Sequence, residues 1–164
     1  MYKRQAKSLW GVYIILTIVC ATLYKIAGMN YFDAIGHSFS TVSIGGFSTH
    51  DASIGFYSSD LIKIICMVFM FLSALNFVLH FLFYKNKSLT VYTSNSEMKS
   101  FLLIMIILLL LVAIFSTGGR TQSLENIDIM FHILSFATTS GFTVSNYSNS
   151  VSYTHLTLPT ILLV

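Results

Sequence analysis

Three long runs without charged residues constrain this chain more than any other feature. They cover residues 8–24, 64–84 and 100–119. The hydrocarbon core of a bilayer is about 30 Å thick and is crossed by about 20 helical residues. Each run therefore predicts a transmembrane helix, and together they predict an all-α integral membrane fold.

The composition excludes the main soluble classes. Only 9% of the residues are charged, whereas a soluble domain carries roughly 25%. The net charge of +3 is too small and too scattered for a nucleic-acid-binding surface. Cys20 and Cys66 lie inside apolar runs and are interpreted as buried side chains, outside any disulfide or metal site. No catalytic motif has a suitable context, so we do not expect an enzyme.

The charges predict the orientation of the chain in the membrane. Basic residues precede the first run and separate the second from the third, which places both segments in the cytoplasm. The opposite side carries five of the six acidic residues. Acids at an outer mouth raise the local cation concentration, although an ordinary acidic outer face explains them equally well. The acidic residues on this side are Asp33, Asp51, Asp60, Glu125 and Asp128.

Two short apolar segments, residues 32–41 and 127–136, lie on the predicted outer side. Each has about ten residues, or roughly 15 Å of helix. That length is too short to span a bilayer and predicts a re-entrant helix that reaches the middle of the membrane.

The two segments belong to an internal repeat with a period of 95 residues. The same shift superimposes the first apolar run on the third. The repeated unit is a membrane helix, a re-entrant pore helix, a glycine-containing loop and a membrane helix. We expect one and a half units: a first unit over 1–84, a cytoplasmic linker over 85–99 and a partial unit over 100–150. Identical pairs are Asp33 with Asp128, His37 with His132, Ser40 with Ser135, Gly46 with Gly141 and Phe47 with Phe142.

The loop after each short helix is a candidate ion site. Irregular backbone at mid-membrane is tolerated only where it is buried in protein or lines an aqueous cavity. Its free carbonyls can replace the water shell of a cation, and the negative end of the preceding helix favours the same charge. Glycine lets the backbone turn into left-handed conformations. The candidate filter residues are Ile44, Gly45, Gly46, Phe47, Thr138, Thr139, Ser140, Gly141 and Phe142.

FSTVSIGGFSTHDASIGF (39–56) and SFATTSGFTVSNY (135–147) resemble filter segments of the TrkH/KtrB/HKT cation transporter family. The resemblance implies four such units around a central K⁺ pathway, of which this chain matches the second and part of the third. The filter glycines of the family fall on Gly46 and Gly141. This chain has two filter segments instead of four, and it lacks the gating loop and the basic residue of the fourth unit, so we expect a fragment.

The resemblance also implies a cellular role. We expect K⁺ uptake across the bacterial cytoplasmic (inner) membrane, with K⁺ as the transported ion, bound at the filter residues only, and no organic cofactor. Expected partners are membrane lipid, a second copy of the full-length protein and a cytosolic TrkA-type nucleotide-binding ring, with no nucleic acid. The pore loops are entered from the outer side.

Other interpretations remain open at this stage. A structural or accessory membrane protein with re-entrant helices would not conduct ions. A membrane metalloenzyme using His37, His50, His80 and His132 is an outside alternative, since such ligands must converge on one site. Ser73, Asn76 and His80 form a polar stripe on the second run, which either hydrogen bonds to another helix or borders the permeation route.

The repeat also makes a prediction about the last residues. The second run should recur at about 156–179, yet Pro159 would then lie inside a membrane helix, where it removes a hydrogen bond. The segment 151–160 resembles translated sequencing-adapter read-through. We therefore expect native sequence to end near Ser150 and 151–164 to be a non-native tail, the alternative being a short amphipathic tail.

Overall fold

The computed structural model describes residues 2–116 and 126–144, and within these ranges it contains helices and no strands. Helix α1 (Tyr2–Ile26) leads into the short helix α2 (Tyr31–Val42). A 3₁₀ turn (Ser53–Phe56) precedes α3 (Asp60–Ala74), α4 (Phe77–Asn86) and α5 (Thr90–Ser94). Helix α6 (Ser96–Ser116) and the short helix α7 (Asn126–Ala137) complete the described chain.

Helix α1 contains the first predicted span. Its 25 residues give a length of about 37 Å. Within the described ranges, Lys7–Ile26 is the one unbroken helical stretch that is long and apolar enough to cross a membrane. Lys25 lies in the last turn, where the Nζ atom is 4.0 Å from the centroid of the Tyr31 ring. A cation at this position is favoured by the negative end of the helix.

The second predicted span is wrong as a single straight helix. Helices α3 and α4 are bent by 91° relative to each other, and only the pair taken together is long enough to count as a span. Leu75 between them has an extended backbone, with ψ at 150°. The Oδ1 atom of Asn76 then caps α4 by accepting a 3.0 Å hydrogen bond from the Val78 amide.

The polar stripe predicted on this span is also corrected by the break, because Ser73 lies on α3, Asn76 is the N-cap of α4 and His80 lies within α4. A ring nitrogen of His80 is 2.9 Å from the carbonyl oxygen of Leu72, at the end of α3. Its other nitrogen is 2.8 Å from the hydroxyl oxygen of Tyr92 in α5. His80 therefore hydrogen bonds to a backbone carbonyl that the break leaves without its α-helical partner. Its side chain links α3, α4 and α5.

Helix α6 contains the described part of the third predicted span, residues 100–116. Helix α5 lies within the predicted linker, and α6 begins there at Ser96 instead of at residue 100. Residues 117–119 of the predicted span and the tail 151–164 lie outside the described residues. The prediction about the tail therefore stays a prediction.

The core lies where α1, α2, α3 and α7 pack together. Tyr24 on α1 is fully buried, and its hydroxyl oxygen is 2.9 Å from Oγ1 of Thr41 on α2. Both cysteines are free thiols inside this core, as the sequence predicts. The short helix α2 thus packs against α1 and α3, and the short helix α7 packs against α3, through buried contacts. The largest fully buried side chains include Tyr24, Phe131, Phe142, Met29, Ile54, Ile62, Met70 and His37.

One ion pair joins the two repeat units. Nζ of Lys63, near the start of α3, is 2.7 Å from Oδ1 of Asp128 in the first turn of α7. The Lys63 ammonium is also 3.3 Å from Oδ1 of Asp60. The side chains of Lys63 and Asp128 are only 10% and 15% exposed, so solvent screens their interaction weakly.

We expect Lys63→Met to lower the unfolding free energy by about 1–3 kcal/mol, because the Asp128 carboxylate is left without this partner. Asp128→Asn should cost less, since Lys63 keeps Asp60. Melting temperatures of the detergent-solubilised protein measure both, with Lys63→Arg as the charge-conserving control. Equal melting temperatures for Lys63→Met and Lys63→Arg would contradict a contribution from the pair.

Candidate functional site

Helices α2 and α7 match the two predicted re-entrant helices to within one residue at each end. Both end with the same hydrogen bonds, 95 positions apart. The amide of Gly45 donates to the carbonyl of Ser40 at 2.8 Å, and the amide of Ser140 donates to that of Ser135 at 2.9 Å. Each end also has a second hydrogen bond, from the amide of residue 44 to the carbonyl of residue 41 and from the amide of residue 139 to the carbonyl of residue 136. This combination is a Schellman motif, which terminates a helix by a left-handed residue.

The left-handed residue is β-branched in both copies. Ile44 has φ of 56° and Thr139 has φ of 60°. Glycine usually occupies this position, and an L residue there costs roughly 1–2 kcal/mol. Two residues further on, Gly46 and Gly141 have φ of 68° and 81°. Both copies therefore retain the same unfavourable backbone, which indicates a functional constraint on the loops.

This conformation leaves a series of carbonyl groups unused. Positive φ at every second residue prevents these loops from continuing a helix or pairing as a strand. Within the described residues, we find no hydrogen bond to the carbonyl oxygens of residues 42–46 or 137–141. Each loop can therefore offer carbonyl oxygens to a cation.

The two loops lie side by side. A β-carbon built at Gly46 would overlap the carbonyl oxygen of Ser140. The amide of Gly55 donates to the carbonyl of Thr143 at 3.1 Å, and the amide of Thr143 donates to Oγ of Ser53 at 3.3 Å. The structure thus brings the predicted filter glycine of one unit against the predicted filter backbone of the other.

The remaining predicted filter residues differ between the units. Phe142 is 1% exposed, and its carbonyl accepts a 2.8 Å hydrogen bond from Oγ of Ser135. Its counterpart Phe47 is 81% exposed. The hydroxyl of Thr138 donates back to the carbonyl of Leu134 at 2.8 Å, so this side chain is turned towards its own helix.

Asp33 anchors the loop of the first unit, a role that the sequence analysis missed. The carboxylate is 4% exposed and accepts hydrogen bonds from the Thr49 hydroxyl at 2.6 Å and the Tyr57 hydroxyl at 2.9 Å. Nε2 of His50 and Nδ2 of Asn30 lie 3.1 and 2.8 Å from the same group. The hydrogen bond from Thr49, above all, lowers the pKa of Asp33 to about 2, so the group is ionised.

The position of Asp33 in the internal repeat is the sequence feature that could have predicted its structural role. It aligns with Asp128, and both lie in the first turn of a pore helix. A carboxylate there is stabilised by the positive end of the helix. The partners differ, since Asp128 pairs with Lys63.

The four histidines of the metalloenzyme interpretation do not form a metal site in the described part of the chain. There, no group of three or more His, Cys, Asp or Glu residues is placed to hold a metal ion. His37 and His50 have stacked rings 6.4 Å apart, whereas His80 lies at the α3–α4 break.

Comparison with known proteins decides the family. The family model TrkH, described as a cation transport protein, matches residues 2–162. The chain belongs to the TrkH family. The resemblance found in the two loop sequences is thereby confirmed.

Several relatives support the same assignment. The Trk system potassium uptake protein TrkH of Halomonas elongata is 44% identical over 146 residues, which are 87% of this chain and 30% of that protein. The protein of the same name from Escherichia coli K12 is 40% identical over 161 residues, which are 96% of this chain and 32% of that protein. This chain therefore spans about a third of the length of these TrkH relatives.

A solved structure confirms the fold class. The crystal structure of the potassium transporter TrkH from Vibrio parahaemolyticus superimposes with a TM-score of 0.83 at 39% identity. The match covers 88% of this chain and 32% of the transporter chain. The all-α membrane-transporter architecture predicted from the sequence is correct.

The two glycines predicted to lie in the filter, Gly46 and Gly141, should tolerate alanine unequally. Gly141→Ala meets no neighbouring atom within 4 Å among the described residues and should cost the roughly 1–2 kcal/mol of a left-handed L residue. Gly46→Ala should cost more, because the new methyl group also overlaps the Ser140 carbonyl. Melting temperatures of the detergent-solubilised protein measure the difference.

Gly11→Ala is the matched control for this comparison. Gly11 lies within α1, and a β-carbon there meets nothing within 4 Å. Alanine is the better helix former, so no loss of stability is expected. A melting temperature for Gly46→Ala as high as that for Gly141→Ala would show that the two loops are not in contact.

Proposed function

We propose that this chain forms part of a K⁺ uptake pathway, in which the loops after α2 and α7 supply carbonyl oxygens to the ion. The observation that carries the proposal is the shared backbone of the two loops. Both combine a β-branched left-handed residue with a left-handed glycine and leave successive carbonyls without hydrogen bonds from the described residues. The relatives in this family are named as potassium uptake proteins, which favours K⁺ as the ion.

In this pathway K⁺ loses part of its water shell to the loop carbonyls. The C-terminal ends of α2 and α7 add partial negative charge beside the loops. The proposed ion-binding segments are 44–47 and 138–142, and no organic cofactor takes part. Phe47 and Phe142 can offer the ion only their backbone carbonyl oxygens, because a phenyl side chain has no oxygen ligand.

We also propose the setting of this pathway. The chain works in the cytoplasmic membrane as part of a larger transporter, which pairs with a second copy and a cytosolic TrkA-type ring. The relatives are named as parts of a "Trk system", which favours an assembly of several components. Exposed apolar side chains along α1, such as Trp10, Ile15 and Ile18, favour contact with lipid.

A chimera tests transport. Residues 2–150, which leave out the tail predicted to be non-native, would replace the matching segment of the Escherichia coli TrkH in a host that lacks its own K⁺ uptake systems. We expect growth at limiting K⁺ with the unmodified chimera and strong impairment with Gly46→Ser or Gly141→Ala, because both glycines have left-handed backbones.

The controls separate conduction from the accessory alternative. Membrane abundance of each variant is measured by immunoblotting, and Gly11→Ala serves as the neutral glycine change. Normal growth with both filter glycines replaced would contradict the filter and would favour a structural or accessory protein.

The orientation of the chain is a separate proposal. From the distribution of lysines, Ser94 faces the cytoplasm and Ser53 the outside. Single cysteines at these positions, in a background without Cys20 and Cys66, are treated with a membrane-impermeant thiol reagent in intact cells. We expect labelling at position 53 and none at 94. The opposite pattern would reverse the orientation.

A further inference from the structure

The imidazole of His37 lies fully buried on α2, between the two loops. Nδ1 is 2.8 Å from the carbonyl oxygen of Asp33, and Nε2 is 2.8 Å from Oγ of Ser48. A carbonyl can only accept, so Nδ1 carries the proton. In the neutral ring Nε2 then accepts from the Ser48 hydroxyl. The Ser48 oxygen in turn accepts a 3.1 Å hydrogen bond from the amide of His50.

The face of the same ring contacts the other unit. It stacks on Phe142 with ring centroids 6.4 Å apart and planes inclined by 26°. Ser48 follows the first filter glycine by two residues, and Phe142 follows the second by one. His37 therefore contacts the end of each loop: Ser48 directly follows the proposed ion-binding segment 44–47, and Phe142 is the last residue of the segment 138–142.

Packing alone does not explain an imidazole at this position. Burial of a polar ring costs free energy unless its nitrogens are hydrogen bonded, and an apolar side chain would avoid that cost. Both nitrogens of His37 are in use.

Helices α2 and α7 each hold the loop that follows them by a side-chain hydrogen bond, but they use different side chains to do so. In the second unit, the hydroxyl of Ser135 on α7 holds the loop through the Phe142 carbonyl. The equivalent hydroxyl of Ser40 on α2 is buried and has no hydrogen-bond partner in the described part of the chain. The loop of the first unit is held through Ser48 by His37 instead.

We propose that His37 is a positioning residue for ion selectivity, which fixes the filter loop of the first unit through Ser48 and the end of the second loop through Phe142. This inference rests on the proposed function. Loss of the bond between His37 and Ser48 would let the first loop widen, so the carbonyls would discriminate less between K⁺ and the smaller Na⁺.

Two pairs of variants isolate this bond. His37→Gln places an amide where Nε2 lies and can still reach Ser48, whereas His37→Asn reaches only the position of Nδ1. Ser48→Thr keeps the hydroxyl and introduces the residue type found at the equivalent position 143, whereas Ser48→Ala removes it. The measurement is the ratio of K⁺ to Na⁺ uptake in the chimera with Escherichia coli TrkH.

We expect His37→Asn and Ser48→Ala to lower this ratio about fivefold, the factor that one hydrogen bond contributes to an equilibrium. His37→Gln and Ser48→Thr should stay within about twofold of the unmodified chimera. The double variant His37→Asn/Ser48→Ala should be no worse than the worse single variant, because both remove the same bond. An unchanged ratio in His37→Asn, with only the maximal rate or the membrane abundance reduced, would overturn the proposal.

Failure of the proposed function gives a different result. In that case the unmodified chimera takes up no K⁺ although it reaches the membrane. Melting temperatures of the purified chimera then test the bond itself, with losses expected for His37→Asn and Ser48→Ala but not for His37→Gln and Ser48→Thr. Equal melting temperatures for all four variants would also contradict a stabilising hydrogen bond between His37 and Ser48.

Discussion

Backbone carbonyls at the ends of two short helices, to which no described residue donates a hydrogen bond, are the constraint on which the rest of this structure depends. In a membrane such backbone is tolerated only where protein buries it or a polar cavity receives it. The Schellman ends of α2 and α7 stop each helix, and the left-handed residues that follow prevent any return to regular structure. The surrounding core and side-chain hydrogen bonds are what hold this costly conformation in place.

The two units share a backbone but not the contacts that support it. In the first unit the carboxylate of Asp33 and the ring of His37 hold the loop by hydrogen bonds to Thr49, Tyr57 and Ser48. In the second, Asp128 pairs with Lys63 across the unit boundary. A duplicated sequence thus preserves the geometry of the loops, while its side chains have diverged to suit different neighbours.

This divergence explains which features the sequence predicts. The two short helices and the left-handed glycines of the loops that follow them are local patterns repeated in one register, so they can be found without a structure. The break after α3 cannot, because Leu75 lies in an apolar run and the bend is supported by His80 on the carbonyl of Leu72, a contact between residues on either side of it. Likewise, Phe47 and Phe142 are equivalent in sequence, and only their neighbours make one exposed and the other buried.

The contact between the loops also bears on how an ion could be enclosed. Gly46 faces the Ser140 carbonyl, whereas a β-carbon on Gly141 would meet nothing within 4 Å among the described residues. A dehydrated cation needs oxygen ligands on all sides, and two adjacent loops supply only part of that shell. The chain spans about a third of the length of its TrkH relatives. In the proposed pathway, further loops must therefore supply the remaining carbonyls.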